Sequence, residues 1–239
     1  MNQTIRLGLY VLAILSLVSR IAMATPAIDI SGVRLGMSGA DARSAIARAN
    51  SDFQVAALKS GTGNINGYEG VIRGRYGVPS ERLFALLDGV GAVWYIGREQ
   101  TYADSERPTV NATWAALTQK YGPPSARSET SGAEWDFDRS GTVVRRILGT
   151  DPLPCREINQ RRGGIVQTLW IPEEVSNDCG QKLAVTVGND FAAKLVTGLG
   201  IYAFDMRMFD AMQSKLEAER LENLRRQREQ REKNLTPRL

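Results

Sequence analysis

The sequence predicts an α+β protein: two tandem helix-plus-antiparallel-sheet modules followed by a long C-terminal helix. Three observations carry this. A capped amphipathic helix followed by strand-like segments occurs twice, from Ser38 and again from Asn111. The turn-rich connection Asp88-Gly89-Val90-Gly91 and the period-two alternation of Leu183, Val185 and Val187 point to antiparallel strands. From Met206 onward the composition is that of a helix.

Taken in order, Ile28 to Leu35 reads as a short strand ending at Gly36. Ser38 then caps a helix, with Asp41 as its capping-box partner and Ala42, Ala45, Ile46 and Ala49 along one face. Phe53 to Leu58 and Tyr68 to Tyr76 read as strands on either side of the glycine-rich stretch Gly61 to Gly67. Leu83 to Leu87 and Ala92 to Ile96 form a hairpin. Near Arg107-Pro108-Thr109 the order begins again. Asn111 is the expected N-cap, Trp114, Leu117 and Tyr121 share a face, and Gly122-Pro123-Pro124 stops the helix. Strands are expected at Glu134–Asp138, Val143–Leu148, Ile165–Ile171, Leu183–Val187 and Lys194–Phe204, with turns at Arg139-Ser140-Gly141 and Gly188-Asn189-Asp190. Gly198 and Gly200 share a strand face, which predicts a bend, a bulge or the close approach of another element. The last helix carries Phe209, Met212, Leu216 and Leu224 on a fading stripe, docked at its start and frayed well before Pro237. The expected organisation is 1–24, 25–107, 108–205 and 206–239.

Residues 1–24 have the pattern of a secretory signal peptide, with Arg6 ahead of the apolar stretch Leu7 to Val18 and small residues at Ala22-Met23-Ala24. The apolar stretch is shorter than the roughly 20 residues that span a bilayer. An exported chain with two cysteines has a single possible bridge, Cys155–Cys179, expected to contribute roughly 3 kcal/mol and to hold the stretch Arg156 to Gly164 as a loop against the strand that follows.

The 239 residues carry a formal charge of +4. Removing residues 1–24, which hold Arg6, Arg20 and no acid, lowers it to +2; eight bases and five acids from Lys215 onward leave the body near −1. Any basic interaction therefore belongs to the C-terminal helix, and no nucleic-acid partner is expected. The chain has no histidine, which removes Ser-His-Asp and Cys-His nucleophile systems, His-ligated zinc and imidazole acid–base chemistry. No cofactor and no metal are expected.

The segment Gly32-Val33-Arg34-Leu35-Gly36-Met37-Ser38, running into a capped helix, and the later Lys120-Tyr121-Gly122-Pro123-Pro124-Ser125 resemble turns in small exported bacterial proteins of the SmpA/OmlA and β-lactamase-inhibitory-protein-like type. The resemblance implies helices paired with antiparallel sheets and a role in protein binding or envelope assembly. The chain departs from the lipoprotein members in lacking their lipidated cysteine.

Gly61 to Gly67 offers backbone amides to a phosphate, but without a Walker Lys-Ser/Thr or a helix-opening glycine motif it reads as a hairpin loop. Asp136 and Asp138 share one strand face opposite Trp135 and Phe137; the expected account is a solvated carboxylate face over a buried aromatic pair. Arg145-Arg146 and Arg161-Arg162 are candidates for phosphate, sulfate or an acidic partner surface, the second pair on a loop held by the bridge, against the expected account of exposed arginines without a ligand. Arg225, Arg226 and Arg228 are the corresponding partner-binding candidates on the last helix, whose mixed charges fit a solvated helix or coiled-coil end. Trp94, Trp114, Trp135 and Trp170 are expected to be packing residues. The expected function is an exported, non-enzymatic protein that binds another protein, not an integral membrane protein. The alternative is a secreted hydrolase using carboxylates alone, drawn from Asp136, Asp138, Glu173 and Glu174.

Overall fold

Ser38 starts the first helix as predicted. The computed structural model describes residues 28–74, 79–128, 132–145, 155, 157–162, 170–190 and 192–235, with the side chains of all of these except 157–162, 170–175 and 233–235; the signal-like segment 1–24 lies outside them. In α1 (Gly39–Ala49) the Ser38 hydroxyl accepts from Asp41 N at 3.2 Å and donates to the Asp41 carboxylate at 2.8 Å. Ala42, Ala45 and Ile46 are buried, while Ala49 is exposed. Ile28–Leu35 is a tight hairpin of β1 (Asp29–Ile30) and β2 (Val33–Arg34), not the single strand expected. Ser31 and Gly32 both adopt positive φ, 54° and 87°, so the chain reverses between them.

The first module continues through β3 (Gln54–Lys59), β4 (Ile65–Arg73), β5 (Pro79–Leu87) and β6 (Val93–Thr101). The glycine-rich stretch is a hairpin connection closed by Ser60 N to Asn64 O at 2.9 Å, with its last residues, Ile65 to Gly67, inside β4. Asp88 organises the β5–β6 turn, its carboxylate accepting from Val90 N at 3.0 Å and Ala92 N at 2.8 Å.

The second module opens with α2 (Val110–Tyr121), capped by Thr109 and not by Asn111. Thr109 Oγ1 accepts from Ala112 N at 3.2 Å. A bridge to Leu195 holds Thr109 extended, the backbone an N-cap needs, whereas Asn111 is already inside the helix. Gly122, at φ 78°, ends the helix with its N–H on Thr118 O at 2.9 Å. Then come β7 (Ala126–Arg127), β8 (Gly132–Asp138), β9 (Val143–Val144), β10 (Glu157–Arg162), β11 (Trp170–Val175), β12 (Cys179–Asp190) and β13 (Leu195–Asp205). Arg145 follows β9 as an exposed residue outside any strand; residues 146–148 and 165–169 of the expected strands lie outside the described residues. The expected turn Gly188-Asn189-Asp190 is strand. Reversal comes later, at 192–194, where the Asp190 carboxylate accepts from Ala192 N and Ala193 N and Lys194 takes φ 54°. α3 (Met206–Leu235) is helical to Leu235, longer than expected.

All ladders among the described residues are antiparallel, and β3-β4-β5-β6-β13-β12-β8-β7 form one continuous sheet, with β9 also on β8. The halves join where β6 pairs with β13, from Thr101↔Gly198 to Tyr95↔Phe204. The two halves share a clamp. Gly39 N bonds Gly91 O and Val93 N bonds Met37 O around the Ser38–Ala92 bridge; Val110 N bonds Lys194 O and Val196 N bonds Pro108 O around the Thr109–Leu195 bridge. Each helix cap is thus tied to the start of a central strand, and Lys194 occupies the left-handed position that Gly91 holds in the first half.

α1 and α2 cover one face of the sheet, where Ile46, Leu83, Ile96, Trp114, Trp135, Leu183, Val185 and Ala203 form the larger core. On the other face Leu58, Phe84, Leu86, Trp94, Tyr95 and Phe204 form a second core with Met206 and Phe209 of α3 and the Cys155–Cys179 bridge. Burial of such side chains contributes about 1.5–3 kcal/mol each.

Candidate functional site

Alternation and register place Phe84, Tyr95, Tyr202 and Phe204 together on the face opposite α1 and α2. Their rings stack in parallel: Phe84–Tyr95 at 6.0 Å, Tyr95–Tyr202 at 6.3 Å and Tyr95–Phe204 at 6.3 Å. The first turns of α3 cover one end of this row, Phe209 meeting Trp94 at 5.0 Å. Asp205 fixes that cover. Its carboxylate accepts from Arg207 N at 3.0 Å, from the Arg207 guanidinium at 2.6 and 3.0 Å, and from Gln181 Nε2 of β12 at 2.8 Å.

Beyond Tyr202 the same face opens into a trough of about 330 Å³. Gly198 and Gly200 of β13 and Gly188 of β12 make its floor, and Ser80, Arg82, Glu99, Thr101 and Thr186 stand around it. Arg82 pairs with Glu69 at 3.5 Å and faces Glu99 across the ladder, so the wall carries both signs of charge. The glycines answer the expectation of a bend or a close approach unevenly. A Cβ at Gly200 would meet Thr186 Oγ1 at 2.6 Å, but at Gly198 the nearest atom is Gln100 O at 3.4 Å, an ordinary contact. Internal packing therefore does not require glycine at Gly198. Its absent side chain leaves bare backbone that an incoming group can approach closely.

A second cleft of about 350 Å³ lies on the helical face, between the β1–β2 turn and α2. Its cations are answered internally. Arg98 donates to Glu81 at 2.6 and 2.9 Å and to Ser31 Oγ at 2.8 Å, and Lys120 to Asp29 at 3.1 Å. Tyr121 OH donates to Asp29 O at 2.9 Å, and burial pushes its phenol up despite the neighbouring Lys120. These contacts fasten the N-terminal hairpin to both modules.

Asp136 and Asp138 do not act as a pair. Asp136 shares the face predicted, away from Trp135 and Phe137, but that face is buried at this point, not solvated. Asp136 is 0% exposed and its Oδ2 accepts from Cys155 N at 3.3 Å. Directly across the ladder Lys182, 3% exposed, pairs with Glu134 at 3.2 Å and donates to Cys155 O at 3.2 Å. Asp138 instead folds its own turn, accepting from Ser140 N, Ser140 Oγ and Thr142 N, and these bonds hold its carboxyl below the usual range.

The Cys155–Cys179 bridge is present. The stretch it encloses does lie against the strand that follows, but as a strand and not as a loop: Arg161 and Arg162 are in β10, opposite Ile171 and Trp170 of β11, in a separate two-stranded sheet. Arg146 lies outside the described residues; Glu173 and Glu174 lie in β11. Trp94, Trp114 and Trp135 are buried as expected. Arg225 and Arg226 both pair with Glu222 at 3.1 Å, while Arg228 has no ionic partner among the described residues. The sequence offered one signal of the trough, the shared face of Gly198 and Gly200. No described helix is long and apolar enough to cross a membrane, and no described cluster of three or more acids or cysteines is arranged to hold a metal ion.

No family model matches this chain, and comparison with curated proteins and with solved structures finds no match.

Proposed function

We propose that this is an exported, periplasmic or secreted, non-enzymatic protein that binds another protein through the sheet face opposite α1 and α2. The observation that carries the reading is the trough floored by Gly188, Gly198 and Gly200, of which Gly198 has no internal packing need. Bare backbone flanked by hydroxyls and by charges of both signs suits a polypeptide segment, which brings flat peptide planes and mixed side chains. Export is supported by the signal-like residues 1–24 and the disulfide.

The test is site-specific photocrosslinking in the exporting cell. A photoreactive side chain at Thr101 or Thr186 is expected to give a discrete protein adduct, and one at Arg43 on the exposed side of α1 is expected to give none. Equal labelling from all three positions, or no adduct from either trough position, overturns the reading.

A further inference from the structure

We propose that α3 is the contact by which two copies of this chain associate, pairing antiparallel with the α3 of the second copy. Beyond Met212 the helix runs over 20 residues to Glu232, about 30 Å, with every side chain exposed except the partly covered Glu222. Leu216, Leu221 and Leu224 are 52%, 57% and 42% exposed there. Packing against the body stabilises only the first turns, and a polar helix of this length is marginal on its own, even with its Glu217–Arg220, Glu222–Arg226 and Arg225–Glu229 pairs.

The side chains on one seam identify the partner. Glu217, Leu221, Leu224, Arg228 and Arg231 follow one another at spacings of four, three, four and three residues, the a/d repeat of a coiled coil. Arg228 and Arg231 have no ionic partner among the described residues, and Glu217 has only an exposed, 3.4 Å contact with Arg220. Laid antiparallel on its own copy, this seam sets each Leu221 against the other chain's Leu224, giving two apolar layers at the centre. On either side of them Glu217 of one chain meets Arg228 of the other. A parallel arrangement would instead stack Glu217 on Glu217 and Arg228 on Arg228, layers of like charge that disfavour it. The antiparallel arrangement also sends the two folded bodies to opposite ends of the seam, so they do not collide.

The experiment is sedimentation equilibrium of the mature chain at rising concentration, with circular dichroism to follow helix content. The wild type is expected to move from one to two chain masses. Glu217→Arg alone and Arg228→Glu alone each place like charges in both flanking layers, and each is expected to remain at one chain mass. An equimolar mixture of the two variants restores both ion pairs and is expected to recover the doubled mass. The proposal is overturned by a wild type that stays at one chain mass, by single variants that associate as the wild type does, or by a mixture that stays monomeric while both variants keep their helix content.

Discussion

The ring of Phe84 lies over Gly97 on the adjacent strand: a Cβ at Gly97 would stand 1.9 Å from Phe84 Cζ and 2.6 Å from two further ring atoms. This is the approach that lets Phe84 stack on Tyr95 and begin the aromatic row. Gly97→Ala is therefore expected to destabilise by about 2–3 kcal/mol, since the ring must leave its site. Gly198→Ala, which meets only an ordinary contact, is expected to change stability by less than about 0.5 kcal/mol, or to stabilise, while weakening capture of the partner at the trough. Urea unfolding of both variants separates the glycine that packing requires from the one it does not.

The repeated clamp makes a second prediction. Gly91 and Lys194 take the same left-handed position before the central strand of each half, and only glycine does so without steric cost. Lys194→Gly is expected to raise stability by about 0.5–1 kcal/mol, and Gly91→Ala to lower it by about 1 kcal/mol. Opposite shifts in thermal midpoint check this.

Reduction or removal of the bridge is expected to be costly. Cys155 and Cys179 are 24 residues apart and fully buried, and the Cys155 backbone bonds both Asp136 and Lys182. The double variant Cys155→Ala/Cys179→Ala should lose about 3 kcal/mol in the chain-entropy account. Denaturant midpoints of the oxidised and variant proteins measure it.

Asp205 makes the attachment of α3 acid-sensitive. Burial pushes its carboxyl up, but the hydrogen bonds from Arg207 and Gln181 outweigh burial and hold it below the ordinary carboxylate range. Because the folded value is depressed, its stabilisation is complete above the unfolded value of about 3.9 and is lost as pH falls through the folded one. Trp94 fluorescence, which reads its contact with Phe209, should therefore change below about pH 4. Asp205→Asn should remove that acid-dependent component and cost about 1–2 kcal/mol at neutral pH.

Local chemistry made much of this fold legible. The Ser38 cap, the Asp88 turn, the Gly122 stop and the buried starts of the α1 and α2 stripes, Ala42-Ala45-Ile46 and Trp114-Leu117, each depend on neighbours within a turn or two, and they stand where the residues predicted them; Ala49 and Tyr121, at the helix ends, are less covered. The misreadings have a common cause. Thr109 displaced Asn111 as the cap because Leu195, distant in sequence, holds it extended. Asp136 proved buried because Cys155 and Lys182, from two other segments, close over it.

By itself the sequence determined the α+β class, the repeated order of helix and strands, the pairing of the only two cysteines, and the near-neutral charge of the body. These follow from residue type and short-range periodicity. Only the tertiary structure decided that the halves merge through β6 and β13, that one sheet face is closed by α1 and α2, and that the other opens over Gly198 and Gly200. Alternation tells which side chains share a face of a strand; what covers that face depends on pairings about 100 residues apart, such as Thr101 with Gly198, which no local pattern encodes.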